Sequence, residues 1–429
     1  MRVNKTAPGW SYSYVKEIKV KDVIIIGGGA SGIMAAIVAA RRGAKVCILE
    51  RLDRIGKKIL VTGNGRCNIT NINIQSKCYH SSYINDSYMS AIDYFDYAKT
   101  KEFFEELGVT LINEGDKVYP RSEQATSVLD VLRMEIEKLQ VEVVTGAKVV
   151  EIKSKKDMWK VILEDNISYE SEKVIIATGG FANNTLGCDG LGYNLLKSVG
   201  HKVTPTFPAL VHIISSSSYC KMITGTRIKA VSSIYIDEKV KRSEYGEVLF
   251  TDDGLSGPAI FQLSRIAAKA KIDGKNAKVK LDLLSEFKKP QVINMIYARI
   301  SNQPDRTIET LLIGLIHKRL IIPILKEAGI THFSRRCDEL EYDEIESLTC
   351  VLKEFEFDAQ GTRGYKYAQV TAGGIRLEDV NLNTMESRKA KNLFITGEVL
   401  DIDGDCGGYN LQWAWASGFI AGQSVSRRD

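Results

Sequence analysis

The chain has 429 residues, 44% apolar and 26% charged, an ordinary balance for a folded globular protein; at roughly 100–200 residues per domain it exceeds a single domain. Its net charge of +5, spread along the sequence, argues against nucleic acid as the main partner and leaves anionic ligands open. Eight cysteines without a C-x-x-C pair give no zinc site, redox dithiol or secreted disulfide scaffold, and no signal core or membrane-length apolar run is present, which points to a cytoplasmic protein.

Residues 1–19 carry little pattern and read as an amino-terminal extension. From residue 20 the pattern sharpens. An apolar, β-branched run at 23–26 ends in GGGASG, a small-residue helix follows (IMAAIVAARRG), and a second buried strand covers 45–49. Strand, glycine turn, helix, strand is one βαβ unit. Within it, G-x-G-x-x-G falls on Gly27, Gly29 and Gly32. The first glycine allows the tight turn, the second lets a pyrophosphate approach the backbone, and the third lets helix and strand pack closely. The helix start adds free N–H groups and a positive dipole end. Glu50 ends the second strand, 18 residues after Gly32, placed to accept hydrogen bonds from an adenosine ribose. An acidic side chain there suits FAD or NAD better than NADP. The same glycines would also serve a turn in an unrelated α/β protein.

Residues 51–75, rich in Gly, Asn, Lys and Arg, read as a long functional loop. Helical patterns recur at 90–107 and 122–139. Strands are expected at 141–147, 148–154, 159–165 and 173–177, the last ending in Thr178-Gly179-Gly180. Residues 203–285 alternate as β structure with a helix near 258–271, and 288–329 read as helical. Near Tyr365 the glycine-rich style returns and runs through GEVLDIDGDCGGYN into a final helix. The expected architecture is α/β. A Rossmann-like dinucleotide-binding domain is built from both chain ends, 20–202 and 365–429. It is interrupted by a β-rich substrate domain at 203–285 and 333–364, which carries a helical subdomain at 286–332. Three features favour a flavin over NAD: the polar loop after Glu50, the strand ending at Thr178 and Gly179, and the late helix start. A helix amino terminus can stabilise negative charge on a reduced isoalloxazine; the aspartates before it could instead cap a surface helix.

The blocks VIIIGGGASGIMAA, GKKILVTGNGRCNITN, LFTDDGLSGPAI, QVTAGGI and ITGEVLDIDGDCGGYNLQWAWASG span residues 23 to 418. They resemble the HI0933-like flavoproteins, also described as BaiN-type or aminoacetone-oxidase-like. The resemblance implies a two-part FAD-binding domain interrupted by a β-barrel-like domain with a helical insertion. It implies FAD contacts at Gly27, Gly29, Ala30, Ser31 and Gly32, at Glu50 and Arg51, around Lys57, Lys58, Gly63 and Asn64, and at the backbone near Val149. Gly397, Asp403, Gly408, Asn410 and Leu411 would lie along the ribityl chain and ring, with Thr178, Gly179 and Glu398 as further cofactor candidates. The activity implied is that of an NAD(P)H- and FAD-dependent oxidoreductase. One activity attached to the family is reduction of carbon–carbon double bonds conjugated to a 3-oxo group in bile acids.

Such chemistry leaves side chains to polarise a carbonyl and move a proton. Arg66, Asn64 and Tyr409 are the candidates, with Asn68, Tyr365 and Tyr367 behind them; Arg66 could equally pair with a carboxylate. Cys67 and Cys406 read as packing residues beside the ring more than as a redox pair. The five histidines lack metal-like spacing, and Trp413 and Trp415 read as core. Without a second G-x-G-x-x-G, NADH or NADPH would dock only transiently. The expected partner is a small molecule such as a steroid-like enone, with neither nucleic acid nor a membrane span. Two alternatives stay open: an oxidase or dehydrogenase of an amine or hydroxy acid, and a flavin-bearing RNA- or protein-binding module.

Overall fold

The computed structural model describes residues 20–426, so the extension read at 1–19 lies outside the described residues. Strand β1 (Val20–Ile26) is buried over its last four residues, as a strand covered on both faces must be. Helix α1 (Ala30–Arg41) returns the chain, and β2 (Val46–Leu49) pairs parallel with β1. The expected helix at 90–107 is broken into Met89–Tyr94 and α2 (Tyr97–Glu106), because the Asp96 carboxylate accepts the Lys99 N–H and starts a new helix. The loop at 51–75 contains a tight helical stretch, Lys57–Gly65, and a short strand, Thr70–Asn71. That strand pairs with an unanticipated hairpin, Leu111–Glu114 and Lys117–Pro120. Helix α3 (Ala125–Lys138) leads to β3 (Glu142–Val144), the hairpin β4 (Val149–Lys155) and β5 (Met158–Leu163), and then β6 (Ser168–Ile176).

The middle of the chain builds a second sheet. β7 (Arg227–Ile236) and β8 (Lys239–Thr251) form a hairpin whose two linking residues, Asp237 and Glu238, are both left-handed (φ 48° and 62°). After α4 (Pro258–Ile272), β9 (Ala277–Asp282) pairs with β7. Helix α5 (Lys289–Asn302) and two short helices follow. The stretch 333–364, expected to be β-rich, first forms helix α6 (Tyr342–Lys353). Its buried Ile345, Leu348, Thr349 and Leu352 recur at helical spacing, and Glu341 with Glu344 forms a capping box. Strand β10 (Phe355–Asp358) then pairs with β9, and Gly361–Thr362 pairs with Ile213–Ile214 at the other end of the strand order. Between them, the Ala359 N–H goes to Ala277 on one edge and the Gln360 N–H to Ile214 on the other. The sheet thus closes on itself, barrel-like, around a core of its own that includes Ile234, Val248, Phe250, Val279 and Phe357.

On its return the chain adds β11 (Leu393–Ile395) parallel to β6, and α7 (Tyr409–Val425) packs along α1. The five parallel strands run in the order β11-β6-β1-β2-β3, so both chain ends share one sheet and one hydrophobic core. The fold is α/β and Rossmann-like. No helix among the described residues is long and apolar enough to cross a membrane.

Candidate cofactor and active site

Ile395, Ile176, Ile26 and Leu49 stand in one row across β11, β6, β1 and β2. The residues that follow each of them therefore emerge along one sheet edge: Gly397 and Glu398, Thr178 and Gly179, the Gly27 turn, and Glu50. In open α/β sheets this carboxyl edge is where ligands bind.

The glycine turn is shaped by close approach. A Cβ on Gly32 would lie 2.0 Å from the Gly27 carbonyl oxygen, whereas one on Gly29 would meet nothing within 4 Å. Gly29 caps α1 without a side-chain bond, so the N–H groups of Ala30 and Ser31 face an open cradle. The Glu50 carboxylate accepts the Gly28 and Leu52 N–H groups, each at 2.8 Å. The Gly146 and Ala147 N–H groups bond to the Leu52 and Glu50 carbonyls, which brings Val149 beside this corner. Arg51 pairs with Asp189, and Lys57 turns to the exposed Asp53. Lys58 reaches Glu398 at 2.6 Å, and the other Glu398 oxygen accepts the Thr371 N–H at 2.9 Å. Burial opposes the Lys58 charge, but Cys188 and Glu398 outweigh it and hold the ammonium above its usual pKa.

The GNGRCN segment runs through left-handed backbone at Gly63, Asn64, Gly65 and Cys67. Asn64 is exposed. Arg66 lies 4.2 Å over the Tyr119 ring and pairs with Glu114 at 2.7 Å, with Glu123 farther off at 3.7 Å. Cys67 is fully buried, and burial pushes its thiol up to about 12. Asn68 accepts the Gly408 N–H at 3.1 Å, which joins this segment to the start of α7.

A Cβ on Gly397 would sit 2.6 Å from the Ser31 hydroxyl, so the late segment meets the early turn directly. Trp413 donates its indole N–H to the Gly397 carbonyl and Trp415 to the Ile69 carbonyl; both rings are core, and each pins one loop of the site. Gly408, left-handed at φ 97°, caps α7 without a side chain. Asn410 folds back to exchange hydrogen bonds with the Gly404 backbone, and Leu411 is half-buried. The buried Tyr409 hydroxyl donates to the Asn73 carbonyl at 3.2 Å, and burial keeps the phenol above its usual pKa. The Tyr365 ring lies 5.2 Å from that of Phe181, just beyond the Thr178-Gly179 turn, and its hydroxyl bonds to Thr206. Asp403 is 2% exposed, accepts one bond from Arg265 at 2.9 Å, and leaves Oδ1 without a partner; burial raises its pKa.

These residues fit FAD: an open glycine cradle at an uncapped helix, a carboxylate at the adenosine corner, and a buried oxygen with no partner at the far end. The sequence reading missed the groups that brace the site. Asp405 receives both terminal nitrogens of Arg242 (2.9 and 2.7 Å) and contacts His80 at 2.9 Å; Gln262 bonds the Cys406 backbone. Burial opposes the Asp405 charge, yet the His80 and Arg242 hydrogen bonds hold its pKa below the usual range. Arg242 and Gln262 belong to no recognisable spacing; only Asp405, inside DIDGDCGGYN, carried a local signal.

A family profile described as the HI0933-like protein Rossmann domain matches residues 21–424. A 3-dehydro-bile acid delta(4,6)-reductase of Clostridium scindens is 41% identical over 406 residues, covering 94% of this chain and 98% of that protein. A ribosomal RNA dihydrouridine synthase of Haemophilus influenzae is 28% identical, with coverage of 94% and 98%. Among solved structures, a 3-ketosteroid-delta4-(5alpha)-dehydrogenase from Rhodococcus jostii aligns over 97% of this chain and 99% of that one, at 15% identity and a TM-score of 0.47.

Proposed function

Because the chain belongs to the HI0933-like family, we propose that it is a cytoplasmic FAD-dependent oxidoreductase that reduces a carbon–carbon double bond conjugated to a carbonyl, with NADH or NADPH as donor. The observation that carries the reading is the row of strand ends, which delivers the Gly27 turn, Glu50, Thr178 and Gly397 to one edge from segments up to some 370 residues apart (397 minus 27). Two relatives support this substrate class. One is a delta(4,6)-reductase of a 3-dehydro-bile acid. The other makes dihydrouridine, which differs from uridine by two hydrogens across a double bond conjugated to a carbonyl.

FAD, when bound, would supply the hydride. The chain's own residues hold it and handle the proton. The first-turn N–H groups of α1 take the phosphates, Glu50 the ribose hydroxyls, and Lys58 with Glu398 the middle of the cofactor. The open oxygen of Asp403 and the start of α7 serve the ribityl and ring end. Arg66, set on the face of Tyr119, is the proposed anchor for the substrate carbonyl; binding there exchanges its exposed partners Glu114 and Glu123 for the substrate. Tyr409 is the proposed proton donor, its hydroxyl turning from the Asn73 carbonyl to the substrate, and Asn64 orients the substrate from the exposed loop.

The test is anaerobic spectroscopy of the purified holoprotein. Bleaching of the flavin band by NADH or NADPH, with recovery on adding a 3-oxo-4-ene steroid, supports the reading. Recovery with a uridine-containing RNA and not with the steroid moves the substrate to RNA. Bleaching by an amine or hydroxy acid alone makes the protein an oxidase or dehydrogenase. A colourless protein that cannot be reconstituted with FAD ends the proposal.

A further inference from the structure

Three polar ties cross from the barrel-like unit to the domain built by the chain ends, and all land within the span 403–406. Arg265 of α4 donates to Asp403, Arg242 of β8 grips both oxygens of Asp405, and Gln262 of α4 binds the Cys406 N–H (2.8 Å) and carbonyl (3.4 Å). From the opposite side, residues 79–80 pair with 403–404, the Asp405 N–H bonds to Cys78, and Ser82 holds Asp401. The gripped residues run directly into Gly407 and Gly408, whose left-handed backbone (φ 138° and 97°) sets where α7 begins. Neither turn can take up slack: a Cβ on Gly408 would lie 2.4 Å from the Thr70 carbonyl oxygen, and one on Gly404 2.7 Å from the Tyr409 Cβ.

We propose that Arg242, Gln262 and Arg265 are positioning residues of the barrel-like unit that fix the 403–408 segment, and with it the amino terminus of α7, against the bound flavin. The proposal rests on the FAD reading above. Its physical basis is that the positive end of a helix acts within about its first turn, so a small displacement of Gly408 changes how well negative charge on the ring is stabilised. Gln262 carries the argument that this is position and not charge. It bears no charge and its side chain hydrogen-bonds to backbone, yet it holds the residue between the two ion-paired aspartates and the turn. The ion pairs are suited to the same task. Two parallel bonds from Arg242 fix Asp405 in angle as well as distance, and Asp405 is nine-tenths buried, where such bonds are least screened.

The experiment uses the FAD-loaded full chain and two readouts: the fraction of flavin reduced at a fixed solution potential, and hydrogen exchange of the amides of residues 403–410. Arg242→Met, Arg265→Met and Gln262→Leu are expected to lower the reduced-to-oxidised ratio about tenfold, which for two electrons is about 30 mV, and to speed exchange across the segment. Arg265→Lys restores the parent ratio, because one ammonium can replace a single bond to Asp403; Arg242→Lys does not, because it cannot replace two. A shift in both Arg→Met variants that Lys restores equally, with Gln262→Leu unchanged, shows a charge effect and overturns the proposal. An unchanged ratio and unchanged exchange in all variants overturn it too. If an Arg→Met variant fails to fold, Gln262→Leu and Arg265→Lys decide alone. A parent protein that takes up no FAD defeats the proposed function, while exchange at 403–410 still reports on the ties.

Discussion

Gly32 and Glu50 make separate demands on the same turn, one for space and one for charge. A methyl at Gly32 would meet the Gly27 carbonyl oxygen at 2.0 Å and the Ala177 methyl at 3.2 Å. Neither is a flexible side chain, so Gly32→Ala must open the turn. We expect a loss of about 1–3 kcal/mol, seen as a lower melting temperature of the FAD-free protein and as poor FAD content after purification; an unchanged melt would mean that the turn is not packed this tightly. Glu50→Gln keeps the shape and removes the charge. Its second oxygen becomes an amide donor facing either the Gly28 or the Leu52 N–H. Hydrogen bonds to a charged group contribute roughly 1.5–3 kcal/mol, so FAD should bind ten- to a hundredfold more weakly in a fluorescence titration, and an unaltered Kd would remove Glu50 from the adenosine site. Both residues were legible because a turn, a helix start and a strand end follow each other within one short stretch. Arg242, Gln262 and Arg265 were not, since each acts on a residue more than a hundred positions away.

At the scale of elements, α1 and α7 set the separation of the two chain ends. Gly418 and Gly422 of α7 lie where a Cβ would come within 2.4 Å of the Ser31 carbonyl oxygen and 2.7 Å of the Ala35 carbonyl oxygen. The two helices therefore touch backbone to backbone, and the contact falls at Ser31, in the first turn of α1. Gly418→Leu should push α7 outward and carry Gly397 away from Ser31. We expect lower stability together with FAD loss, whereas Phe419→Leu, at a half-buried ring that stacks on Phe95, should lower stability and leave FAD affinity within about threefold. Equal effects on affinity would show that the crossing does not shape the site. The final helix was legible in the sequence, but the helix its glycines pack against was not. Helix α6 shows the reverse case: its spacing was present in the sequence and was passed over because the stretch sits beside strand-forming residues. The hairpin at 111–120 was missed because its two strands are four residues each, the first partly exposed and the second buried at three successive positions, which leaves no clean alternation to read.

At the scale of the molecule, the return of the chain to its own first sheet was readable because a buried strand running into a glycine turn and a helix start recurs at both ends, at 23–32 and again at 393–410. The closure of the middle sheet came only with the family resemblance and not from the residue pattern, since it rests on the hydrogen bonds of two residues, Ala359 and Gln360. The chain passes between the two units near residues 201–212, with the buried His201 at one end of that passage and the half-buried His212 at the other. His201 bonds Ser387 at 2.8 Å, and its Nδ1 makes no hydrogen bond, with Asp379 4.0 Å away; burial lowers its pKa, with Asp379 opposing and Lys389 assisting. His212 stacks on Phe261 and also leaves Nδ1 unpartnered; burial and Arg363 lower its pKa against Asp253. Both are neutral when folded and gain a proton more readily when unfolded, where the pKa is about 6.5. The unfolded state therefore binds more protons as pH falls through 6.5 toward the lower folded values, and stability drops across that window by up to about 1.4 kcal/mol per pH unit for each histidine. Above 6.5 the loss vanishes. The paired carboxylates Asp405, Asp253 and Asp358, whose folded pKa values are depressed, give the same sign only below about 4, well under the pH at which the histidine decline begins. Urea unfolding between pH 7.5 and 5 should show the decline, and His201→Gln and His212→Gln should each flatten it whatever their cost at pH 7.5. A slope unchanged in both variants would assign the acid sensitivity to other groups.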